Sequence, residues 1–336
     1  MTNGNKRNVV IKGTGHAVPT RVLSNFDLEK MVDTSDEWIR TRTGILRRRI
    51  ADEHTATSDL ATEAGRLALE DGGVSPEQLD LIIVATITPD MFFPATSCLV
   101  QKNLGAWGAA CYDLSAGCSG LIYGLDMAMH SITSGAYNRA LIIGADCLSK
   151  ITNFQDRTTC VLFGDGAGAC LVEGADRAGV LASYLGADGR GWEKLLIRAG
   201  GSRHPASPAT LEAGWHYIEM CGNDVFKFAV RIMVEASLKV LADAGLEPED
   251  IDLFIPHQAN IRIIESAAHR LKLKDTQVYV NVDEYGNTSA ASIGIALDEA
   301  ARSGRIKGGD RVLLVGFGAG LTWGAMIIEW VDKDND

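Results

Sequence analysis

GGVSPEQLDLIIVAT (Gly72–Thr86) and AGLEPEDIDLFIPHQ (Ala244–Gln258) decide how this chain is built. Each runs from glycine through a proline and an acidic stretch into an apolar strand. Placing Gly72 on Ala244 sets an offset of 172 residues, and two further pairs fall on it. LDMA (Leu125–Ala128) meets LDEA (Leu297–Ala300), and RALIIG (Arg139–Gly144) meets RVLLVG (Arg311–Gly316). Three matches at one offset argue against chance, so the chain reads as two similar halves, residues 1–175 and 176–336. The register then slips. Ala169–Val172 matches Ala325–Ile328 at an offset of 156, which gives the first half about sixteen extra residues near Leu148–Leu162.

The matched blocks share a local grammar. Ala61–Gly73 and Val234–Gly245 space apolar residues at helical intervals and end in glycine, which predicts a helix and its C-cap. LDLIIVAT and IDLFIPH are short, nearly continuous apolar runs, the pattern of strands buried on both faces. Strands alternating with helices predict an α/β protein of parallel sheets covered by helices. The polar stretch around Gly200–Thr210 reads as a surface loop.

Composition narrows the function classes. A 336-residue chain can bury a full core, and its formal net charge of −11 argues against nucleic acid as partner. No apolar run approaches the ~20 residues of a membrane helix. The N-terminal MTNGNKRNVVIKGTG has no secretory signal pattern, so a cytoplasmic location is expected. Seven cysteines without a C-x-x-C pair indicate neither a disulfide framework nor a metal site.

Four segments carry candidate chemistry. In SAGCSGLIYGLDMA (Ser115–Ala128), Cys118 stands where a glycine-bounded turn enters an amphipathic helix. Lowering a free thiol from pKa ~8.5 to ~7 takes about 2 kcal/mol, and a helix N-terminus supplies ~0.3–2 kcal/mol. A buried structural cysteine fits the same segment. In IDLFIPHQAN, His257 follows a strand that runs out at Pro256, the sheet edge where α/β proteins bind ligands. It could donate to a carbonyl or handle a proton, or be structural. In VDEYGNTSAASIGIALDEA, Asn287 sits in a turn before a helix, where an N-cap is the ordinary role. Under the duplication, however, Asn287 lies three residues before the counterpart of Cys118, Ala290. A pseudo-two-fold would bring both helix starts to one centre. Finally, VGFGAGLTWGA (Val315–Ala325) is a glycine-rich turn able to expose N–H groups as an oxyanion hole. Its place near the C-terminus argues against dinucleotide binding. GDGAGA (Gly164–Ala169) reads as close packing between the halves.

DLEKMVDTSDEWIRTRTGI, SAGCSGLIYGL, FGDGAGA, PHQANIRII, YGNTSAAS and GFGAGLTWG together resemble the ketoacyl synthase III family, the initiating condensing enzymes of bacterial fatty acid synthesis. The resemblance implies the thiolase fold, two pseudo-symmetric halves in a five-layered αβαβα sandwich. It implies that Cys118 takes an acyl group from acyl-CoA. His257 and Asn287 would then hold the thioester oxygen of malonyl-acyl carrier protein while CO2 leaves. Phe317 would wall the site, and the oxyanion hole would use N–H groups of Cys118 and Gly318–Ala319. Relatives often carry glycine at Ala319, so strain is expected there if φ must be positive. Trp38 and Arg157 would sandwich the adenine of CoA, with Arg42 near its phosphates. Lys227, Arg262 and Arg270 would dock the carrier protein, and Lys272 and Lys274 could extend that patch, while His269 replaces a lysine of some relatives. Phe93 would enter the acyl pocket of a homodimer partner. No metal or cofactor is implied, since acyl-CoA is a substrate.

Other readings remain within the fold. A thiolase needs a second cysteine in its C-terminal glycine-rich segment, and none follows Cys221. An elongating synthase has a second histidine where Asn287 stands. Plant-type polyketide synthases share the Cys-His-Asn set but fit the other motifs less well. A secondary-metabolite relative could share every motif, and a non-catalytic partner subunit should have lost one of the three residues.

Overall fold

The computed structural model describes residues 8–177 and 179–332; residues 1–7 of the N-terminal stretch read above lie outside them. The first half opens with β1 (Asn8–Ala17), a short hairpin pair β2 (Val22–Ser24) and β3 (Arg47–Arg49), and between them α1 (Asn25–Leu28) and α2 (Asp36–Thr43). Then follow α3 (Thr57–Gly72), β4 (Leu81–Ala85), α4 (Thr96–Leu104), β5 (Ala110–Leu114), α5 (Gly120–Thr133), β6 (Arg139–Cys147) and β7 (Asp165–Ala175). The second half has β8 (Val180–Ala187), the small pair β9 (Leu195–Leu196) and β10 (Glu219–Met220) around α6 (Pro208–Glu212), and α7 (Gly222–Ala244). It ends with β11 (Leu253–Pro256), α8 (Ile261–Arg270), α9 (Val282–Tyr285), α10 (Ala291–Arg302), β12 (Arg311–Gly318) and β13 (Thr322–Glu329). The stretch expected to be loop is so only to Ser207, which caps α6 by accepting from Thr210 N.

The two main sheets repeat one order. The first runs β1-β7-β6-β4-β5 and the second β8-β13-β12-β11. In place of a fifth strand the second has an isolated parallel bridge between Phe254 and Val278. The sheets are mixed rather than parallel. β4 pairs parallel with β5 and β6, and β11 with β12, whereas β7 and β13 return antiparallel beside β6 and β12.

Residue alternation along the central strands builds the layers. Leu81 and Ile83 of β4 face a core shared with α5, α10 and the inner faces of β11 and β12. Ile82 and Val84 face the other way, onto α3. In the second sheet, Leu313 and Val315 turn outward onto α7 and α8. The result is five layers, αβαβα, with α5 and α10 buried at the centre. A buried Leu or Ile there contributes about 1.5–3 kcal/mol, so an interior filled from both sheets dominates stability. The matched helices α3 and α7 both stop at a glycine in the left-handed region, Gly73 (φ 64°) and Gly245 (φ 68°). GDGAGA does pack the halves: a Cβ on Gly168 would sit 2.5 Å from Gly294 C on α10.

Candidate active site

Cys118 occupies a single 3-10 turn, Gly117–Ser119, just ahead of α5. The glycine-rich turn between β12 and β13 presses against it. A Cβ on Gly318 would stand 2.4 Å from Cys118 N, and one on Gly117 (φ 53°) 2.9 Å from Ala319 N. Only glycines permit that approach. Hydroxyls clamp the two turns: Ser119 Oγ donates to Ala116 O (2.7 Å), and Thr322 Oγ1 donates to the same oxygen (2.8 Å). Ala319 is not among the described non-glycine residues with positive φ, so the strain expected there is absent.

The thiol itself departs from expectation. Burial outweighs everything else and pushes Cys118 up to about 12, with the nearby Asp146 carboxyl adding to the rise. The sequence suggested a thiol ionised by a helix end. In the fold it is enclosed, and a charged sulfur there is poorly solvated.

His257 lies just past β11, its N–H bonded to Val315 O (2.8 Å), and its ring is buried. Its Nδ1 is 2.6 Å from Ser292 Oγ, at the start of α10. When Ser292 donates that bond, Nε2 carries the proton and faces the cavity as a donor. Burial lowers His257 to about 3, so the ring is neutral at ordinary pH. Phe317 packs edge-on against it, ring centroids 5.3 Å apart. Asn287 is fixed by its backbone: its N–H reaches Leu162 O (2.8 Å), and its carbonyl accepts from Gly164 N (3.0 Å). Its side-chain Oδ1 accepts from Ser289 N (2.9 Å), which leaves Nδ2 for a ligand.

Cys118, His257, Asn287, Phe317 and Gly318 all line one cavity, together with Phe226, Asn260 and Ile263 toward its mouth. A second chamber also touches Cys118, with Gly117, Ser289 and Ala319. Its other walls are apolar: Ile87, Leu148, Phe163, Leu195, Ile197 and Ile218 among them. The sulfur therefore sits between two chambers, one with hydrogen-bond donors and one almost purely greasy. That second chamber was missed in the sequence, because its walls come from eight separate stretches of the chain. Ser292 was missed as well, although it lay inside the YGNTSAAS motif.

The remaining expected residues lie outside this centre. Trp38, on α2, is half-exposed, with the Arg157 guanidinium 5.2 Å from its ring. Arg157 also donates to Asp33 O (2.7 Å). Arg42 is exposed on the same helix, and its carbonyl accepts from Asn260 Nδ2 (3.0 Å) at the cavity mouth. Arg262 stacks over Phe226 at 5.4 Å, also at the mouth, while Lys227 and Arg270 are exposed on α7 and α8. Phe93 is 85% exposed beside Phe92 at 78%. Among the described residues there is no group of three or more His, Cys, Asp or Glu that could hold a metal ion, and no helix long and apolar enough to cross a membrane.

Comparison with known proteins gives a consistent result. Residues 112–189 match the family model described as 3-oxoacyl-[acyl-carrier-protein (ACP)] synthase III, and residues 241–330 its C-terminal model. A beta-ketoacyl-[acyl-carrier-protein] synthase III of Caldanaerobacter subterraneus subsp. tengcongensis is 61% identical over 321 residues, 95% of this chain and 97% of the relative. The crystal structure of 3-oxoacyl-[acyl-carrier-protein] synthase III from Aquifex aeolicus VF5 superposes with a TM-score of 0.88 at 49% identity, covering 96% of this chain and 100% of the other. The priming beta-ketosynthase of the R1128 polyketide pathway superposes with a TM-score of 0.92 at 35% identity, covering 99% of both chains.

Proposed function

Since the chain belongs to the 3-oxoacyl-[acyl-carrier-protein] synthase III family, we propose that it joins a short acyl-CoA primer to malonyl-acyl carrier protein through an acyl-Cys118 intermediate. The protein is a β-ketoacyl-acyl carrier protein synthase of the thiolase fold, an acyltransferase that initiates fatty acid synthesis. The observation that carries the intermediate is the position of Cys118 between two chambers. The greasy chamber suits an acyl chain. The other offers a neutral His257 and the Asn287 amide to a thioester oxygen.

In this reading the primer carbonyl is attacked by the Cys118 sulfur while its oxygen is held by the N–H groups of Cys118 and Ala319. CoA then leaves. Malonyl thioester enters the same cavity, and His257 Nε2 and Asn287 Nδ2 donate to its carbonyl. Loss of CO2 puts charge on that oxygen, and two preorganised donors in a dry site stabilise the enolate more than the ground state. The enolate carbon attacks the acyl group and frees the sulfur. A neutral histidine suits this step, since its N–H can donate to the oxygen without handing a proton to the enolate.

The two halves, residues 1–175 and 176–336, divide the labour: the first brings the nucleophile, the second the decarboxylating pair. Trp38, Arg157 and Arg42 would bind the CoA nucleotide by stacking and charge, and Lys227, Arg262 and Arg270 the acidic carrier. The exposed Phe92 and Phe93 fit a homodimer interface with Phe93 entering the partner's greasy chamber. Seven unpaired thiols fit a reducing, cytoplasmic setting. Peptide mass spectrometry after incubation with acetyl-CoA should find an added acetyl group on Cys118. An unmodified Cys118 peptide from active enzyme would overturn the assignment.

A further inference from the structure

A thiol held near its neutral form must lose its proton as it attacks, and His257 belongs to the other half-reaction. Asp146, at the end of β6, is fully buried, and its charge is felt at Cys118. Its carboxyl is used unevenly. Oδ1 accepts from Thr86 Oγ1 (3.0 Å), Ile87 N (2.8 Å), Thr88 N (3.1 Å) and Thr88 Oγ1 (2.9 Å). Oδ2 meets only a long contact from Ala290 N (3.4 Å), the residue after Ser289. Four donors hold charge on Oδ1, so Oδ2 is the oxygen open to a proton.

Ser289 stands between. It is 1% exposed, and its φ of 51° is one of two positive values among the described non-glycine residues. A serine held in the left-handed region of an active-site turn costs about 1–2 kcal/mol and needs a reason. Its Oγ is buried without a hydrogen-bond partner, lines the second chamber beside Cys118, and its hydroxyl favours the charged form of both the sulfur and the Asp146 carboxyl.

We propose that Ser289 and Asp146 form a proton relay for Cys118. The proposal deepens the acyl-Cys118 reading and depends on it. As the sulfur bonds to the primer carbonyl, its proton passes to Ser289 Oγ while the Ser289 proton passes to Asp146 Oδ2. CoA departs as a thiolate and takes a proton from solvent. The relay proton stays parked on Asp146 through decarboxylation. When the enolate displaces the sulfur as a thiolate, the proton returns along the same path. Over the cycle the one proton consumed is the solvent proton on CoA, which balances the malonyl carboxylate lost as CO2. Burial pushes Asp146 above its ordinary range, as a base facing a thiol requires. The titratable groups that feel it are Cys118 and, next along the strand, Cys147, while His257 lines the cavity that holds Cys118.

Charge alone predicts the opposite of a relay. The Asp146 carboxylate raises the Cys118 pKa, so removing only its charge should make the thiol more reactive. Acetylation of Cys118 by acetyl-CoA, followed by rapid quench and peptide mass from about pH 6 to pH 9, separates the two in D146N and Ser289→Gly. Glycine accepts φ near 51° without strain, so the second variant removes the hydroxyl and keeps the turn. Both variants should acylate about 100-fold more slowly at pH 7 and recover about tenfold per pH unit as hydroxide strips the thiol, while the wild type stays nearly flat. Release of CO2 from malonyl-acyl carrier protein should fall far less than acylation and without the pH recovery. Acylation at the wild-type rate at pH 7, or a uniform loss at every pH shared with CO2 release, would overturn the relay. If D146N does not fold, the Ser289→Gly profile decides alone. Wild-type enzyme left unacylated would instead remove the nucleophile assignment itself.

Discussion

At the scale of single residues, the site divides its tasks between a sulfur kept protonated and a histidine kept neutral, and burial causes both. For His257 the sign is definite. Its pKa near 3 in the fold lies below the ordinary value of 6.5, so the folded state binds fewer protons than the unfolded one in between. Its neutral burial therefore favours folding above pH 6.5, and that contribution is lost as pH falls from 6.5 toward 3. Decarboxylation follows the same titration: CO2 release from malonyl-acyl carrier protein should run flat from pH 8 down to about pH 5. A decline centred near 6.5 would show that His257 ionises as freely as a surface histidine. Replacing His257 or Asn287 with alanine removes one of two donors and should slow CO2 release about 100- to 1,000-fold, leaving Cys118 acetylation measurable. If CO2 release survived both changes, the pair would not be the decarboxylating device. Cys118, His257 and Asn287 were legible because each sits at a recognisable break in periodicity, a turn-to-helix or strand-to-turn junction. Asp146 and Ser289 were not, because a carboxylate closing an apolar strand gains meaning only when a turn 143 residues later lies beside it.

At the scale of elements, the central helices decide how close the halves come. β6 and β7 meet α10 and its N-cap through glycines: a Cβ on Gly168 of β7 would sit 2.5 Å from Gly294 C, and one on Gly144 of β6 would run into Ala290 O. Backbone lies at both contacts, so no rotamer change can relieve them. Gly168→Ala should destabilise by more than about 3 kcal/mol, read as a lower denaturation midpoint, because overpacking against backbone forces whole elements apart. A stability change under about 1 kcal/mol would mean that α10 can shift freely. The repeat itself was visible because α3 with β4, and α7 with β11, retain the same glycine stop and proline entry. Strand direction was not. A continuous apolar run reports burial on both faces but not the sense of its neighbour, and so the antiparallel return of β7 and β13 escaped notice.

At the scale of the molecule, the overall charge of −11 and an acidic partner are compatible only if basic side chains gather at one entrance. Arg262 lies on Phe226, a wall of the cavity, and Arg42 O holds Asn260, another wall, so the proposed gathering would stand there. Two substrates would then share one entrance through different chemistries. The CoA nucleotide would be held by the flat faces of Trp38 and Arg157, an interaction that salt weakens little. The carrier protein would be steered by exposed charge, which fades over a Debye length of about 8 Å at physiological ionic strength. A crossed pair of variants separates them. Trp38→Ala should raise KM for acyl-CoA about tenfold, as expected for one lost stacking face, and leave KM for malonyl-acyl carrier protein unchanged. Arg262→Glu together with Lys227→Glu should do the reverse, raising KM for the carrier substrate about tenfold at low salt. That penalty should shrink as salt rises, because screening weakens in the variant the repulsion that replaced attraction. Equal effects of both variants on both substrates would mean that the mouth is merely deformed, and the separate assignments of α2 and of α7 with α8 would fall together.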